Sequence, residues 1–299
     1  MNFDGVTFSG GISVVWIPPS NKAIFGYGDL AGGGAVSMTN LVTNTGVVGN
    51  DVTGVGTARY YPAATTYGTD KAIFGYGTAY VTNLVSNTGV VATDTTGVGT
   101  GREALAAAGY GSSGQAIFGY GMTVSMTNLV SNTGVVATDT AGVGTARYGP
   151  AAAGYGTDKA IFGYGRNSAN DSVSITNLVT NTGVVGNDVA GVGTGRFYLA
   201  AATYGTDKAI FGYGTGNASM TNLVSNTGVV ATDTTGVGTG RYGLAAAGYG
   251  TDTAIFGYGY RSGLQSMTNL VSNTGVVATD TAGVGTARIG LAAASYGFG

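Results

Sequence analysis

Lys159-Ala-Ile-Phe-Gly-Tyr-Gly165, then Ser174-Ile-Thr-Asn-Leu-Val-Thr-Asn-Thr-Gly183, then Gly191-Val-Gly-Thr-Gly-Arg196: this succession recurs six times, almost letter for letter. The Ile-Phe-Gly-Tyr-Gly cores begin at Ile24, Ile73, Ile117, Ile161, Ile210 and Ile255, a period of 44 to 49 residues. A fixed period of that length marks an array of one supersecondary unit. The array spans residues 21–299 as a single domain, and residues 1–20 stand before it.

Within the unit, Pro150-Ala-Ala-Ala-Gly-Tyr-Gly156, the Ile161 core and Thr176-Asn-Leu-Val179 are short, rich in aromatic, β-branched or small residues, and bounded by glycine or Asx signals. Those are strands joined by turns, and glycine interrupts every candidate helix. Tyr155-Gly-Thr-Asp-Lys159 and Asn181-Thr-Gly183 read as tight hairpins. Four short antiparallel strands repeated six times predict an all-β, six-bladed β-propeller of four-stranded blades, since radial repetition shields the strand edges. An open solenoid needs distinct capping repeats, and the last unit is as regular as the interior ones.

After Arg288 comes a further Ala-rich segment, Leu291-Ala-Ala-Ala-Ser-Tyr-Gly297, which the first core lacks before it. Residues 290–298 are therefore expected to complete the blade begun at Lys22 and close the ring. Alternation places Ala, Phe and Tyr of Ala-Ile-Phe-Gly-Tyr on one face, with Ile and Gly on the other. The alanines suit the crowded position beside a central channel.

Charged residues are 9% of the chain, the net charge is −2, and the basic residues are spread along the repeats. That is no nucleic-acid footprint. There is no histidine and no cysteine, which removes Ser-His-Asp and Cys-His catalysis and zinc sites built on imidazole or thiolate. No apolar run of 18 residues exists, and residues 1–20 do not read as a signal peptide.

The repeat resembles the kelch motif. Arg147 before the Ala-rich strand, Lys159-Ala-Ile-Phe-Gly-Tyr-Gly165, and Thr176-Asn-Leu-Val with its Asn181-Thr-Gly183 turn carry the likeness through residues 21–298. The family's Gly-Gly doublet and later tryptophan are missing, and the only tryptophan is Trp16. The resemblance implies a binding or scaffolding propeller; the copper-oxidase branch of that family needs His and Cys. The near-identity of the units also resembles virion-associated proteins of tailed bacteriophages and marine viruses, where such repeats decorate tails or heads.

Six Asp/Arg couples stand eight residues apart: Asp51 and Arg59, Asp94 and Arg102, Asp139 and Arg147, Asp188 and Arg196, Asp233 and Arg241, Asp280 and Arg288. A ring of arginines could grip an acidic ligand, but recurrence in every unit favours one structural ion pair per blade. The repeated Asn40, Asn83, Asn128, Asn177, Asn222 and Asn269 read as backbone-bonding residues at bends, with a carbohydrate pocket as the alternative. The repeated Asp-Thr-Thr/Ala-Gly lacks the carboxylates of a calcium loop, so no metal or cofactor is expected.

The segments between Gly-Tyr-Gly and Thr-Asn-Leu vary: Asp29 to Met38, Thr78 to Val81, Met122 to Met126, Arg166 to Ile175, Thr215 to Met220 and Tyr260 to Met267. On a ring they emerge at one end, and variable loops on a constant scaffold are the usual seat of recognition. Arg166, Asn167, Asn170, Asp171, Tyr260 and Arg261 are the candidate ligand contacts.

The reading is thus a non-enzymatic structural or adhesive propeller, a phage virion component of tail, fibre or decoration type that mediates assembly or host-surface recognition. Its expected partners are other assembly proteins, reached through residues 1–20 with Phe3, Phe8 and Trp16, and cell-surface glycans. Those twenty residues are an arm in one reading and an extra strand or plug in the other. The alternative function is a soluble multivalent lectin, and a weaker one a glycosidase using a carboxylate pair near the channel. Location is in the virion, or otherwise cytoplasmic or extracellular.

Overall fold

Phe74, in the middle strand of one sheet, presses its ring against Gly26 of the sheet before it, and this contact recurs at every sheet-to-sheet junction. A Cβ on Gly26, Gly75, Gly119, Gly163, Gly212 or Gly257 would stand 2.6–2.8 Å from the ring of Phe74, Phe118, Phe162, Phe211, Phe256 or Phe25, respectively. Only glycine leaves room for so close an approach. All six phenylalanines are fully buried, each worth about 1.5–3 kcal/mol of transfer free energy.

The structure, a computed structural model, describes residues 21–297. It is all-β, without helices, and built from small antiparallel sheets. Sheet I joins Ala292–Tyr296, Lys22–Gly26 and Thr39–Val42; sheet II joins Ala63–Tyr67, Lys71–Gly75, Val81–Val85 and Thr95–Thr96. Sheet III holds Ala106–Tyr110, Gln115–Gly119 and Thr127–Val130, and sheet IV holds Ala151–Tyr155, Lys159–Gly163 and Thr176–Val179. Sheet V holds Ala200–Tyr204, Lys208–Gly212 and Thr221–Val224; sheet VI holds Ala245–Tyr249, Thr253–Tyr260 and Leu264–Val271. A two-stranded ribbon, Asp29–Leu30 with Gly34–Ala35, is appended to sheet I.

The expected C-terminal strand is in place. Ala292–Tyr296 pairs antiparallel with Lys22–Gly26, Lys22 facing Tyr296 and Gly26 facing Ala292.

Two expectations are corrected. Only sheet II has four strands; elsewhere the fourth shrinks to single bridges such as Thr127 to Thr140 and Thr176 to Val189. The second correction concerns faces. Tyr258 packs with Ile255 rather than with Phe256, and the other units behave alike. Tyr27, Tyr76, Tyr120, Tyr164, Tyr213 and Tyr258 have φ between 61° and 65°, and this left-handed step turns each ring across the strand. The ring then meets the next sheet's phenylalanine edge-on, as in Tyr27–Phe74 at 5.0 Å and Tyr258–Phe25 at 5.2 Å.

Each Ala-rich strand lies beside those of two other sheets, in the order II, III, IV, V, VI, I and again II. Backbone bonds follow the same order at both ends of these strands. At the end where the connector enters, the N–H of Tyr61 donates to the Gly290 carbonyl (2.6 Å) and Ala104 to Tyr61 (3.0 Å). Gly149 then donates to Ala104 (2.9 Å), Tyr198 to Gly149 (2.9 Å), Gly243 to Tyr198 (2.8 Å) and Gly290 to Gly243 (2.8 Å). The series of donors returns to its start. At the hairpin end Gly68 donates to Gly114, Gly111 to Asp158, Gly156 to Asp207, Gly205 to Asp252, Gly250 to Asn21 and Gly297 to Asp70, all at 2.7–2.8 Å. The six strands line a cavity of about 410 Å³ with alanine methyls, Thr65, Thr66, Thr203 and Ser295, and Tyr110, Gln115, Tyr155 and Lys159 line it as well.

Residues 1–20, with the expected arm or extra strand, lie outside the described residues.

Deleting 289–299 removes the inner strand of sheet I together with Gly290 of the connector-end hydrogen-bond series. We expect the melting temperature to fall by at least about 10 °C, on a scale of roughly 2–4 °C per kcal/mol for a chain of this size. Calorimetry checks this, and an unchanged melt would show that the pairing contributes nothing.

Candidate functional site

The repeated arginines are spent on the fold. The Arg102 guanidinium donates from Nε to the Tyr120 carbonyl (2.8 Å), from Nη1 to Thr100 O (3.0 Å) and from Nη2 to Asn128 Oδ1 (2.7 Å). It also lies over the Tyr76 ring of the preceding sheet, 5.0 Å from the centroid. Asn128 in turn donates to the Ala137 carbonyl and to Asp139 Oδ1. Arg59, Arg147, Arg196, Arg241 and Arg288 reach Asn83, Asn177, Asn222, Asn269 and Asn40 in the same way. At Arg59 and Arg147 the Nε atom finds no acceptor. The six asparagines are fully buried and use both ends of the amide, so they line no carbohydrate pocket.

The Asp/Arg couples are not formed between residues eight apart. Arg102 faces Asp139 (3.8 Å), Arg196 faces Asp233 (3.8 Å), Arg241 faces Asp280 (3.9 Å) and Arg288 faces Asp51 (3.9 Å). Among the described residues Arg59 and Arg147 make no ion pair, although Asp94 and Asp188 act on them electrostatically. The reason is the path of the connector. After Asp51 the chain leaves sheet I, and Thr57 bonds Asp94 of sheet II through its N–H and hydroxyl. Arg59 therefore enters sheet II. Gly56, with φ 77°, makes this docking possible, since a Cβ there would collide with Asp94 Oδ1.

Burial raises the pKa of Asp51, Asp94, Asp139, Asp188, Asp233 and Asp280, but hydrogen bonds from Thr and Asn outweigh it and leave each below its ordinary value. Burial pushes Tyr76, Tyr120, Tyr164, Tyr213 and Tyr258 up to about 12. Their hydroxyls donate to valine carbonyls, as Tyr76 does to Val98 at 2.8 Å.

The residues that break the repeat meet elsewhere. Each arginine is followed by two positions at the connector end of the Ala-rich strands: Tyr60-Tyr61, Glu103-Ala104, Tyr148-Gly149, Phe197-Tyr198, Tyr242-Gly243 and Ile289-Gly290. The second of each pair belongs to the connector-end hydrogen-bond series and has φ between 50° and 64°. Glycine suits that conformation; Tyr61 and Tyr198 adopt it all the same. Belonging to sheets II and V, they come from opposite sides of the order and stack with centroids 4.7 Å apart and planes 17° off parallel. Tyr198 donates to the Tyr148 hydroxyl at 2.6 Å, and Tyr60, Tyr242 and Phe197 pack around the pair. Burial pushes Tyr61 up to about 12 and Tyr198 higher still.

Two of the variable-loop candidates join this cluster. Arg166 bridges Tyr148 and Tyr260 bridges Tyr242, extending sheets IV and VI at the connector end. Asn167, Asn170 and Asp171 do not reach it: Asn167 Oδ1 accepts the N–H groups of Ala169 and Asp171, and Asn170 turns the loop with φ 68°. Arg261 is an exposed turn residue beyond Tyr260. Sequence reasoning missed Tyr61, Tyr148 and Tyr198. The signal was the replacement of glycine by tyrosine two residues after Arg59 and Arg196.

No Asp or Glu lines the central cavity, and the described residues hold no cluster of three metal-ligating side chains. Among the described residues no helix is long and apolar enough to cross a membrane. No protein-family model matches the chain, and no curated protein is similar to it. The kelch and viral likenesses therefore rest on the repeat's own residues.

Arg102→Ala strands Asn128 Oδ1 and the Tyr120 carbonyl in the interior. It should cost about 2–6 kcal/mol in urea unfolding, about 1–3 kcal/mol for each stranded acceptor; a loss below about 1 kcal/mol would show the hub to be solvated. The raised tyrosines favour the neutral form in the fold, so their stabilisation is intact below pH 10 and is lost as pH rises toward 12. Tyrosinate absorbance should appear late, together with loss of the β circular-dichroism signal. Titration near pH 10 with the fold intact contradicts this.

Proposed function

We propose that the six sheets are the blades of a closed β-propeller, and that the chain is a non-enzymatic recognition or adhesive module. Its ligand is a cell-surface glycan, bound on the connector-end face over the axis. Support for closure comes from the two hydrogen-bond series that return to their start and from the strand shared by the two termini. The observation that carries the function is where the repeat fails. Almost every position is held constant, while Tyr60, Tyr61, Tyr148, Phe197, Tyr198, Tyr242 and Tyr260 converge on one face. Partly exposed aromatic rings offer flat apolar surfaces with polar tips, which suit the mixed faces of a sugar ring. Attachment to a larger assembly, a virion in this reading, runs through residues 1–20.

A lectin with six equivalent sites has less behind it, because the repeated Asn, Asp and Arg side chains are consumed inside the sheets. A glycosidase at the channel lacks carboxylates in the lining.

A glycan array followed by titration calorimetry tests the proposal. One site per chain is expected, with affinity reduced at least about tenfold by Tyr242→Ala or Tyr260→Ala and unchanged by Val135→Ser at the hairpin end. Six equivalent sites, or binding indifferent to both tyrosines, would overturn it.

A further inference from the structure

Arg166 differs from every repeated arginine. Its guanidinium lies over two rings, 4.7 Å from the Phe197 centroid and 5.2 Å from that of Tyr148. Among the described residues it makes no hydrogen bond and no ion pair, and its buried Nε has no acceptor. The backbone beneath it is fixed. Arg166 N–H donates to the Tyr148 carbonyl (2.9 Å), Tyr148 N–H donates back (2.8 Å), and the strand pairs onward with Ser172. A cation held flat on aromatic rings, stripped of water on one side and left unpaired, is prepared for an anion.

The surroundings narrow the class of anion. Tyr148 accepts the Tyr198 proton, which leaves its own O–H free to donate to a ligand oxygen. Glu103 stands on the neighbouring sheet, close enough to oppose ionisation of the Tyr148 hydroxyl. A carboxylate so placed disfavours a simple polyanion and accepts bonds from hydroxyl groups. Cation, hydroxyl donor, carboxylate acceptor and aromatic platforms together match a ligand with one acid group among many hydroxyls.

We propose that the connector-end face recognises acidic glycans, with the terminal nitrogens of Arg166 forming the fork that takes the carboxylate of a sugar acid. The inference rests on the reading of this face as a glycan site. Arg166 is a binding residue, and the tyrosines position it.

The test is calorimetry on the full chain with three probes: a uronic-acid oligosaccharide, the same oligosaccharide with its carboxyl groups reduced to alcohols, and a sulfated neutral oligosaccharide. The wild type should bind the acid at least about tenfold more tightly than the reduced form, with the preference weakening as salt rises. Arg166→Gln should abolish the preference while leaving the reduced form bound within about twofold; Arg166→Lys should restore part of it. Because the side chain bonds nothing, the melts of both variants should stay close to the wild type. Equal binding of acid and reduced forms, or an acid preference surviving in Arg166→Gln, overturns the assignment to Arg166 and leaves the glycan reading standing. Sulfated probe binding as tightly as the acid overturns the choice of carboxylate. No binding of any probe sinks both proposals.

Discussion

A phenylalanine ring seated on the glycine of the sheet before it is the constraint on which the rest of the molecule depends. Two sheets that carried side chains at both positions would stand further apart. The tyrosine edge contact and the arginine stacked on the preceding tyrosine would then open. The interval between sheets is thus set by one missing Cβ and one ring, six times over. This explains why so glycine-rich a chain packs tightly: these glycines are sockets rather than flexible joints.

The interior polar groups follow from that spacing. A gap fixed by Phe and Gly leaves space at the connector end for one guanidinium, which bonds its own sheet and covers the aromatic surface of the neighbour. The asparagine distributes the remaining bonds, and the aspartate receives the arriving connector. Because this hub repeats, its charges are tied up locally, and the chemistry left to face solvent lies where the units differ. The aromatic cluster at the connector end is such a place.

Most of the fold was legible in the sequence, because period, strand length and turn chemistry are local properties. The C-terminal Ala-rich segment could be assigned to the first sheet since the first unit visibly lacked one. The tyrosine face was not legible, since alternation assumes an extended backbone and Tyr258 leaves it with φ 65°. Nor were the partners of Arg102 and Arg288, because a couple eight residues apart invites pairing while the connector crosses between those residues to another sheet. At the candidate site Arg166 and Tyr260 were found from loop variation. Tyr61 and Tyr198 were overlooked although a column-by-column comparison of the units exposes them. Their importance comes from stacking between sheets II and V, which no single unit encodes.

The strand that Ala292–Tyr296 lends to Lys22–Gly26 also governs the order of events during synthesis. The first sheet to leave the ribosome is the last that can be finished, and its middle strand waits with one edge open while five similar units emerge behind it. Each of those units begins with an Ala-rich segment of nearly the same composition, so the waiting edge is offered a series of wrong partners before the right one is made. The differences that discriminate are small: serine at 295 where the other copies carry glycine or threonine, and a side chain that bonds across to Gly248. Correct assembly therefore relies on each early copy being claimed quickly by the core that directly follows it, a kinetic safeguard supplied by hairpins of three or four residues.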